Sequence, residues 1–257
     1  MDDFQSRLIE FESIFNFRDL GGYNGKDGRK VAWRRLFRSG ELHHMSGSDA
    51  TIFADEIKIK SVIDLRDSES GENLETGEVK NLAVQHYSVP LIVISGGNKE
   101  YDDEKETRIF KDFTNCGEIY RYRLNTSGFG QQIVQVLDII ADSDNLPLVF
   151  HCSAGKDRSG LIAAMVLGIL GVDDRDIIED YTQTGLHMEK IIDRWKNETV
   201  FTEVLSNLEP YRLEAVPESM ETILSGINRD HGSIRQYLLA NGAEESLFDR
   251  LEEALLE

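Results

Sequence analysis

The chain has 257 residues with 28 Lys and Arg against 47 Asp and Glu, a net charge of −19 at pH 7, and an apolar share of 40%. That length can bury a sizeable core, and one domain over residues 1–257 is expected. The acidic balance argues against nucleic acid and anionic membranes as partners, because basic patches recruit those, and no apolar run reaches the roughly 18 residues of a transmembrane segment. An anionic substrate must therefore be met by a local positive site.

Met1 to Arg7 lacks the basic-then-apolar form of a secretory signal. Cys116 and Cys152 lie too far apart for a CxxC metal or redox pair, so reduced thiols and a cytoplasmic location are expected. Phe4, Leu8, Ile9 and Phe11 have loosely helical spacing. They lead to Asn16-Phe-Arg-Asp-Leu-Gly-Gly22, where the paired glycines predict a turn and Arg18 and Asp19 read, on residues alone, as a solvated pair. Val31 to Arg38 predicts a strand or hairpin. His43 and His44 invite a metal reading, but in one strand they would face opposite ways, and no acidic or cysteine cluster stands at ligand spacing, so a surface loop is expected. Ser46 or Ser48 can cap a helix through Ile52, Phe53 and Ile57.

Ser61 to Leu65 predicts a short buried strand ending in Asp64, Arg66 and Asp67, at the kind of edge where open α/β sheets place ligands. Ala83 to Val89 predicts another strand. Residues 94–116 turn polar and charged, and are expected to form a mobile insertion, either a lid or a solvated loop. Phe129 to Ile140 carries an apolar helical face, with Ile133, Val136, Leu137 and Ile140 in step. A strand at 147–150 is followed by a tight loop and a helix at 159–170, which Gly171 should end. Further helices are expected through Ile177, Ile178 and Tyr181 with Asp173 or Asp174 as cap, and over 187–198, 217–229, 233–239 and 244–256.

The chemistry concentrates in His151-Cys-Ser-Ala-Gly-Lys-Asp-Arg-Ser-Gly160. A cysteine at the mouth of a strand–loop–helix turn faces converging backbone N–H groups and the positive helix end, a setting that brings thiol pKa values to about 3.5–7.5 and also binds anions. Cleavage of a phosphate ester through a covalent intermediate needs a nucleophile, donors for the equatorial oxygens and an acid for the leaving group. Cys152 can supply the first. The N–H groups of Ser153, Ala154, Gly155, Lys156 and Asp157, with the planar fork of Arg158, can supply the second. Lys156 adds a cation, and Gly155 permits the tight turn. Ser159 can hydrogen-bond the sulfur and ease its departure. His151 either orients the nucleophile or is a core histidine. Asp157 either acts as general acid, with Asp64, Asp67, Asp102 and Asp103 next in line, or holds the loop in an ion pair with Lys156, Arg18 or Arg66.

This loop resembles the HCxxGKDR[ST]G loop of the atypical, largely microbial protein tyrosine phosphatases, a branch of the cysteine-dependent phosphatase superfamily. Asn16 to Gly22, Leu36-Phe-Arg-Ser-Gly-Glu-Leu42 and Val62-Ile-Asp-Leu-Arg66 are similar to the NFRDLGG, RSG and DLR segments of that family, in the same order. The resemblance implies an α/β fold, with a central, mostly parallel sheet flanked by helices and a helical C-terminal part, and it implies no metal and no cofactor. It supports Cys152 as nucleophile, Arg158 as phosphate binder and Lys156 and Asp157 as the pair typical of the branch. It also moves Arg18, Asp19, Asp64 and Arg66 from surface charges to neighbours of the site. Ser159 stands where threonine is more usual, and keeps the hydroxyl. The substrate implied is a phosphotyrosine protein, with phosphoserine, phosphothreonine or a phosphoinositide as alternatives. Lys156 favours the phosphoinositide and the net charge opposes it. A catalytically silent phosphate-binding module is the reading from another class. A redox-sensing thiol, with Cys116 as resolving partner, is compatible with each.

Overall fold

The computed structural model describes residues 7–67, 77–92, 110–198 and 208–257. Among them the elements run β1 (Arg18–Asp19), β2 (Leu36–Ser39), α1 (Gly47–Thr51), β3 (Ser61–Asp64), β4 (Gln85–Ser88), α2 (Cys116–Leu124), α3 (Phe129–Ile140), β5 (Leu148–His151), α4 (Asp157–Ile169), α5 (Asp174–Thr182), α6 (Gly185–Lys196), α7 (Pro217–His231), α8 (Ile234–Ala240) and α9 (Glu245–Leu255). No helix among them is long and apolar enough to cross a membrane.

The strands form one sheet in the order β1-β2-β5-β3-β4, with β1 antiparallel to β2 and the other pairings parallel. Strand side chains alternate between faces, so each central strand feeds two cores. Leu36, Ile63, Leu148 and Phe150 enter the larger core, which α3, α4, α7, α8 and α9 cover. Phe37, Val62 and Val149 enter a second core with Phe17, Met45, Phe53 and Ile57 on the opposite face. β5 is central, which is why Leu148 to His151 are all buried, whereas the edge strand β4 exposes most of its residues. The register places Ser39 and Asp64 on either side of His151, so three parallel strands end together at the mouth of the 152–158 loop.

Several elements differ from the sequence expectations. The described part of the N-terminal segment is extended rather than helical: Leu8 bridges Arg18, and the Ile9 N–H donates to Phe17 O at 3.1 Å. Ile9 and Phe11 gain burial against the second core, which outweighs their loose helical spacing. The expected strand over 31–38 is confined to Leu36–Ser39, because the chain turns first at Arg34, whose φ is 59°. Ser46 is the cap of α1 and forms a reciprocal capping box with Asp49, after which Ile52–Ile57 widens into a π-helical turn that closes at Lys58. Of the expected mobile insertion at 94–116, residues 94–109 lie outside the described residues. Its final stretch is structural, since Phe110 is buried in the larger core and Cys116 opens α2. The helices expected after residue 129 are present. α4 starts two residues earlier than expected, at Asp157, a favourable charge for a helix N-terminus.

Candidate active site

The loop between β5 and α4 is shaped from behind. The carbonyl of Ser153 accepts from the Glu41 N–H at 3.0 Å, and that of Ala154 from Asn16 Nδ2 at 2.9 Å. Arg38 Nη2 donates to Gly155 O at 2.7 Å and Lys156 O at 3.0 Å. In a planar trans peptide the N–H points opposite the C=O. Drawing these consecutive carbonyls outward therefore turns the N–H groups of Ala154, Gly155, Lys156 and Asp157 inward, where they form an anion-binding nest that the N-terminus of α4 reinforces. Gly155 makes the turn possible: its φ is +68°, and a Cβ there would lie 2.5 Å from the Ser39 backbone.

Cys152 stands at the mouth of this nest and is 3% exposed. Ser159 Oγ lies 3.3 Å from its sulfur and donates to it. Arg158 folds back over the loop: Nη2 reaches Ser153 Oγ at 3.3 Å and Nη1 reaches Leu65 O, beyond β3, at 3.4 Å. The structure thus brings the sulfur, the loop backbone, the guanidinium and the serine hydroxyl together.

A buried ion cluster carries the support. Asp180, on α5 and 1% exposed, binds Arg18 Nε at 2.8 Å through one carboxylate oxygen and Arg38 Nη1 through the other. Its backbone carbonyl accepts from Arg18 Nη2 at 2.7 Å. Burial alone would raise the Asp180 pKa, but the two guanidiniums and their hydrogen bonds bring it below the usual carboxylate value. The two arginines thereby share one carboxylate, and Arg38 is aimed at the loop. Gly160 lets α4 approach this cluster, since a Cβ there would lie 2.8 Å from the Tyr181 ring and 3.3 Å from Arg38.

The supporting residues named from sequence fall into different places. Arg18 acts on the loop through Asp180 and Asn16. Asp19, its neighbour in β1, faces the other way and pins the turns at Gly21 and Arg34 through their N–H groups at 2.8 and 2.7 Å. Burial raises its pKa to about 6 against those backbone hydrogen bonds. Asp64 and Arg66 form a buried pair at 3.0 Å at the carboxyl edge of β3. Burial would raise the Asp64 pKa, yet His151 and Arg66 bring it below its ordinary value, so it is held ionised and poorly suited to give up a proton. His151 is fully buried, 3.9 Å from Asp64, and burial lowers its pKa to about 4, which leaves the ring neutral near pH 7.

Lys156 points away from the anion site, and Asp157 makes one of the contacts weighed for it. The Lys156 ammonium donates to Arg212 O at 2.6 Å and Glu214 O at 2.8 Å, so it ties the loop to the segment before α7 and leaves the second-cation role without direct contact support. Asp157 accepts from the Tyr181 hydroxyl at 2.9 Å and lies 3.6 Å from Lys156 Nζ, so the ion pair weighed for it is present. Tyr181 stays a proton donor, because burial and the Asp157 charge push its pKa well above 10. Cys116 sits 3.6 Å from the same ammonium, and its thiol is pushed up to about 12 by burial and Asp157, a poor nucleophile and a poor resolving partner. Asp102 and Asp103 lie outside the described residues.

Sequence reasoning missed Arg38, Asn16, Glu41 and Asp180. One signal was available for Arg38, its place in the Leu36 to Leu42 segment that resembles a family motif. Asp180 gave none, as an acidic residue on a helix is ordinarily solvated. His43 and His44 lie on a turn, as the expected loop requires, but acidic groups do accompany them: their ring centroids are 3.8 Å apart, and Glu41 and Glu198 stand beside them.

A relative from Cupriavidus necator is 28% identical over 243 residues, 90% of this chain and 82% of its own length. The triple specificity protein phosphatase PtpB of Mycobacterium tuberculosis is 24% identical over 279 residues, covering 96% of this chain and 98% of that one. Among solved structures, the catalytic core of Siw14 aligns over 96% of this chain and 95% of that one, at 12% identity and a TM-score of 0.48, too loose a likeness to bear on function. The model of the tyrosine phosphatase family matches residues 9–257, and with these relatives it establishes that the chain belongs to the tyrosine phosphatase family and is a phosphatase.

Proposed function

We propose that residues 1–257 act as one phosphatase domain that hydrolyses phosphotyrosine monoesters of proteins in the cytoplasm, through a phosphocysteine intermediate. The observation that carries this reading is the nest of N–H groups around Cys152, formed by the outward-held carbonyls of Ser153 to Lys156 and closed by Arg158. The Cys152 thiolate attacks phosphorus, the ester P–O bond breaks, and the leaving phenolate oxygen takes a proton, for which Asp157 is the proposed donor. Water then attacks the phosphocysteine, phosphate leaves and the thiolate returns, with the Ser159 hydroxyl stabilising the departing sulfur. The loop donors and Arg158 meet the charge on the equatorial oxygens, so the chemical step calls for no metal. The name of the M. tuberculosis relative, a triple specificity phosphatase, supports a range wider than phosphotyrosine.

Rapid acid quenching during turnover of an aryl phosphate tests the intermediate. Mass spectrometry should find one phosphate on Cys152, and Ser159→Ala should raise the trapped fraction by slowing hydrolysis of the intermediate. An active Ser159→Ala enzyme with no phosphate on Cys152 would contradict the mechanism.

A further inference from the structure

Glu41, His43, His44 and Glu198 form a cluster that the phosphatase chemistry does not use. Their ligand atoms all lie within 4.8 Å of one another. His43 Nδ1 is 3.7 Å from Glu41 Oε2, His44 Nε2 is 3.8 Å from Glu41 Oε1, and His44 Nε2 is 2.9 Å from Glu198 Oε1. Zinc with bonds of about 2.0–2.1 Å to nitrogen and oxygen has tetrahedral edges of about 3.3 Å, so ligand atoms taken one per residue, all within 4.8 Å of one another, need only draw together slightly to hold it. We propose that these four residues form a binding site for a divalent transition cation of the zinc class.

One further observation supports the site. His43 Nδ1 is buried and hydrogen-bonds no described residue, and Glu41 at 3.7 Å is too distant to serve. A buried imidazole nitrogen left in this state, aimed at a carboxylate beyond hydrogen-bond reach, suits a cation between them. Two imidazoles and two carboxylates select zinc-like ions over magnesium or calcium, which prefer oxygen donors alone.

The guanidiniums of Arg66 and Arg194 oppose a cation. Arg66 is paired with Asp64 at 3.0 Å and also stands 4.0 Å from Glu41 Oε2, where a cation would compete with it, while Arg194 donates to Ser13 O at 2.7 Å and stacks on Phe15 at 3.9 Å. Two carboxylates set against two guanidiniums leave the pocket near neutral, so the expected affinity is micromolar rather than that of a permanent structural zinc. The position gives the ion a task. The Glu41 N–H holds the Ser153 carbonyl, and Glu198 follows α6, whose Met188, Ile191 and Trp195 pack with Ala154. A bound cation would clamp the end of α6 to the rear of the catalytic loop without touching the sulfur.

The test is equilibrium dialysis of the full chain against zinc in the Cys152→Ser background, which removes the thiol that could itself bind the metal. One zinc per chain is expected, with magnesium not retained. At a hundredfold excess over Kd, zinc should raise Tm by about 5 °C or more. His43→Ala with His44→Ala should abolish both effects, and Glu198→Gln, at a partly exposed position, should weaken binding at least tenfold even if the double variant fails to fold. Less than one zinc per chain in Cys152→Ser, or undiminished binding in Glu198→Gln, would overturn the site. Neither readout needs turnover, so this result stands apart from the phosphatase reading.

Discussion

The front and the back of the catalytic loop are built in opposite ways. At the front, the sulfur, the N–H donors, the guanidinium and the serine hydroxyl all come from Cys152 to Ser159. At the back, the same loop is held by Asn16, Arg18, Arg38, Glu41 and Asp180, contributed by two strand segments, at β1 and β2, and by a helix more than a hundred positions later in the chain. The front is lined with donors that await an anion. The back is already paired: the Asp180 carboxylate holds both buried arginines, Arg38 reaches the loop carbonyls of Gly155 and Lys156, and Arg18 reaches Asn16 and the Asp180 carbonyl. Reactivity is thus a local property of a short segment, while the shape that makes it reactive is a property of the whole sheet.

Substitutions at the front should remove chemistry and leave the fold intact. Cys152→Ser should lower kcat by about 10⁴-fold or more while phosphate still binds, as measured by steady-state kinetics and calorimetry. Arg158→Lys, which keeps the charge but loses the planar fork, should cost about 10²–10³-fold in kcat/KM. Equal losses in binding and stability for either variant would erase the distinction between front and back.

Substitution at the back should reverse the pattern. Asp180→Ala strands two buried guanidiniums, and should destabilise the protein by about 3–5 kcal/mol in urea unfolding, with activity falling because Arg38 loses its aim. A stable but inactive Asp180→Ala protein would place Asp180 in the chemistry instead. Asp157 lies at the boundary. If it is the acid, Asp157→Asn should slow aryl phosphates with poor leaving groups about 10-fold or more beyond those with good ones. A uniform loss would make the ion pair with Lys156 its whole role.

A further effect, read only in stability, is one of pH. The folded pKa of His151, about 4 against an ordinary 6.5, means that its neutral ring stabilises the fold above pH 6.5 and that this contribution is lost as pH falls toward 4. The shift corresponds to on the order of 3 kcal/mol. Asp19 acts with the opposite sign: raised from 3.8 to about 6, its contribution is present below pH 3.8 and fades as pH rises through 6. In unfolding titrations between pH 4 and 7, His151→Gln should flatten the loss of stability on acidification and Asp19→Asn should steepen it. Unchanged slopes would mean that neither group titrates as its burial implies.

What could be read from the sequence follows the same division. Cys152, Arg158 and Ser159 were legible because their geometry is fixed by a strand, a tight turn and a helix within one short segment. The parallel arrangement of the central strands and the amphipathic helices after residue 129 were legible for similar reasons, from local pattern and from the motifs of the family. The direction of a side chain was not: Lys156 and Asp157 stand inside the loop in sequence but contact Arg212, Glu214 and Tyr181 in space. Nor could pattern show that Asp180 is buried, because its partners Arg18 and Arg38 lie in the first strands of the sheet. The acid beside His43 and His44 was not legible either, because Glu198 follows the far end of α6 and no sequence window holds it next to them.

The loop at Cys152 is proposed to hydrolyse phosphotyrosine, and substrate choice tests this most directly. Phosphate release should be measured at matched concentrations from a phosphotyrosine peptide, a phosphoserine peptide and a set of phosphoinositides, with wild type and Cys152→Ser side by side. The expected result is fastest release from the phosphotyrosine peptide and none from any substrate with Cys152→Ser. Release that survives Cys152→Ser, a phosphoinositide as the fastest substrate, or no release from any of them would contradict it.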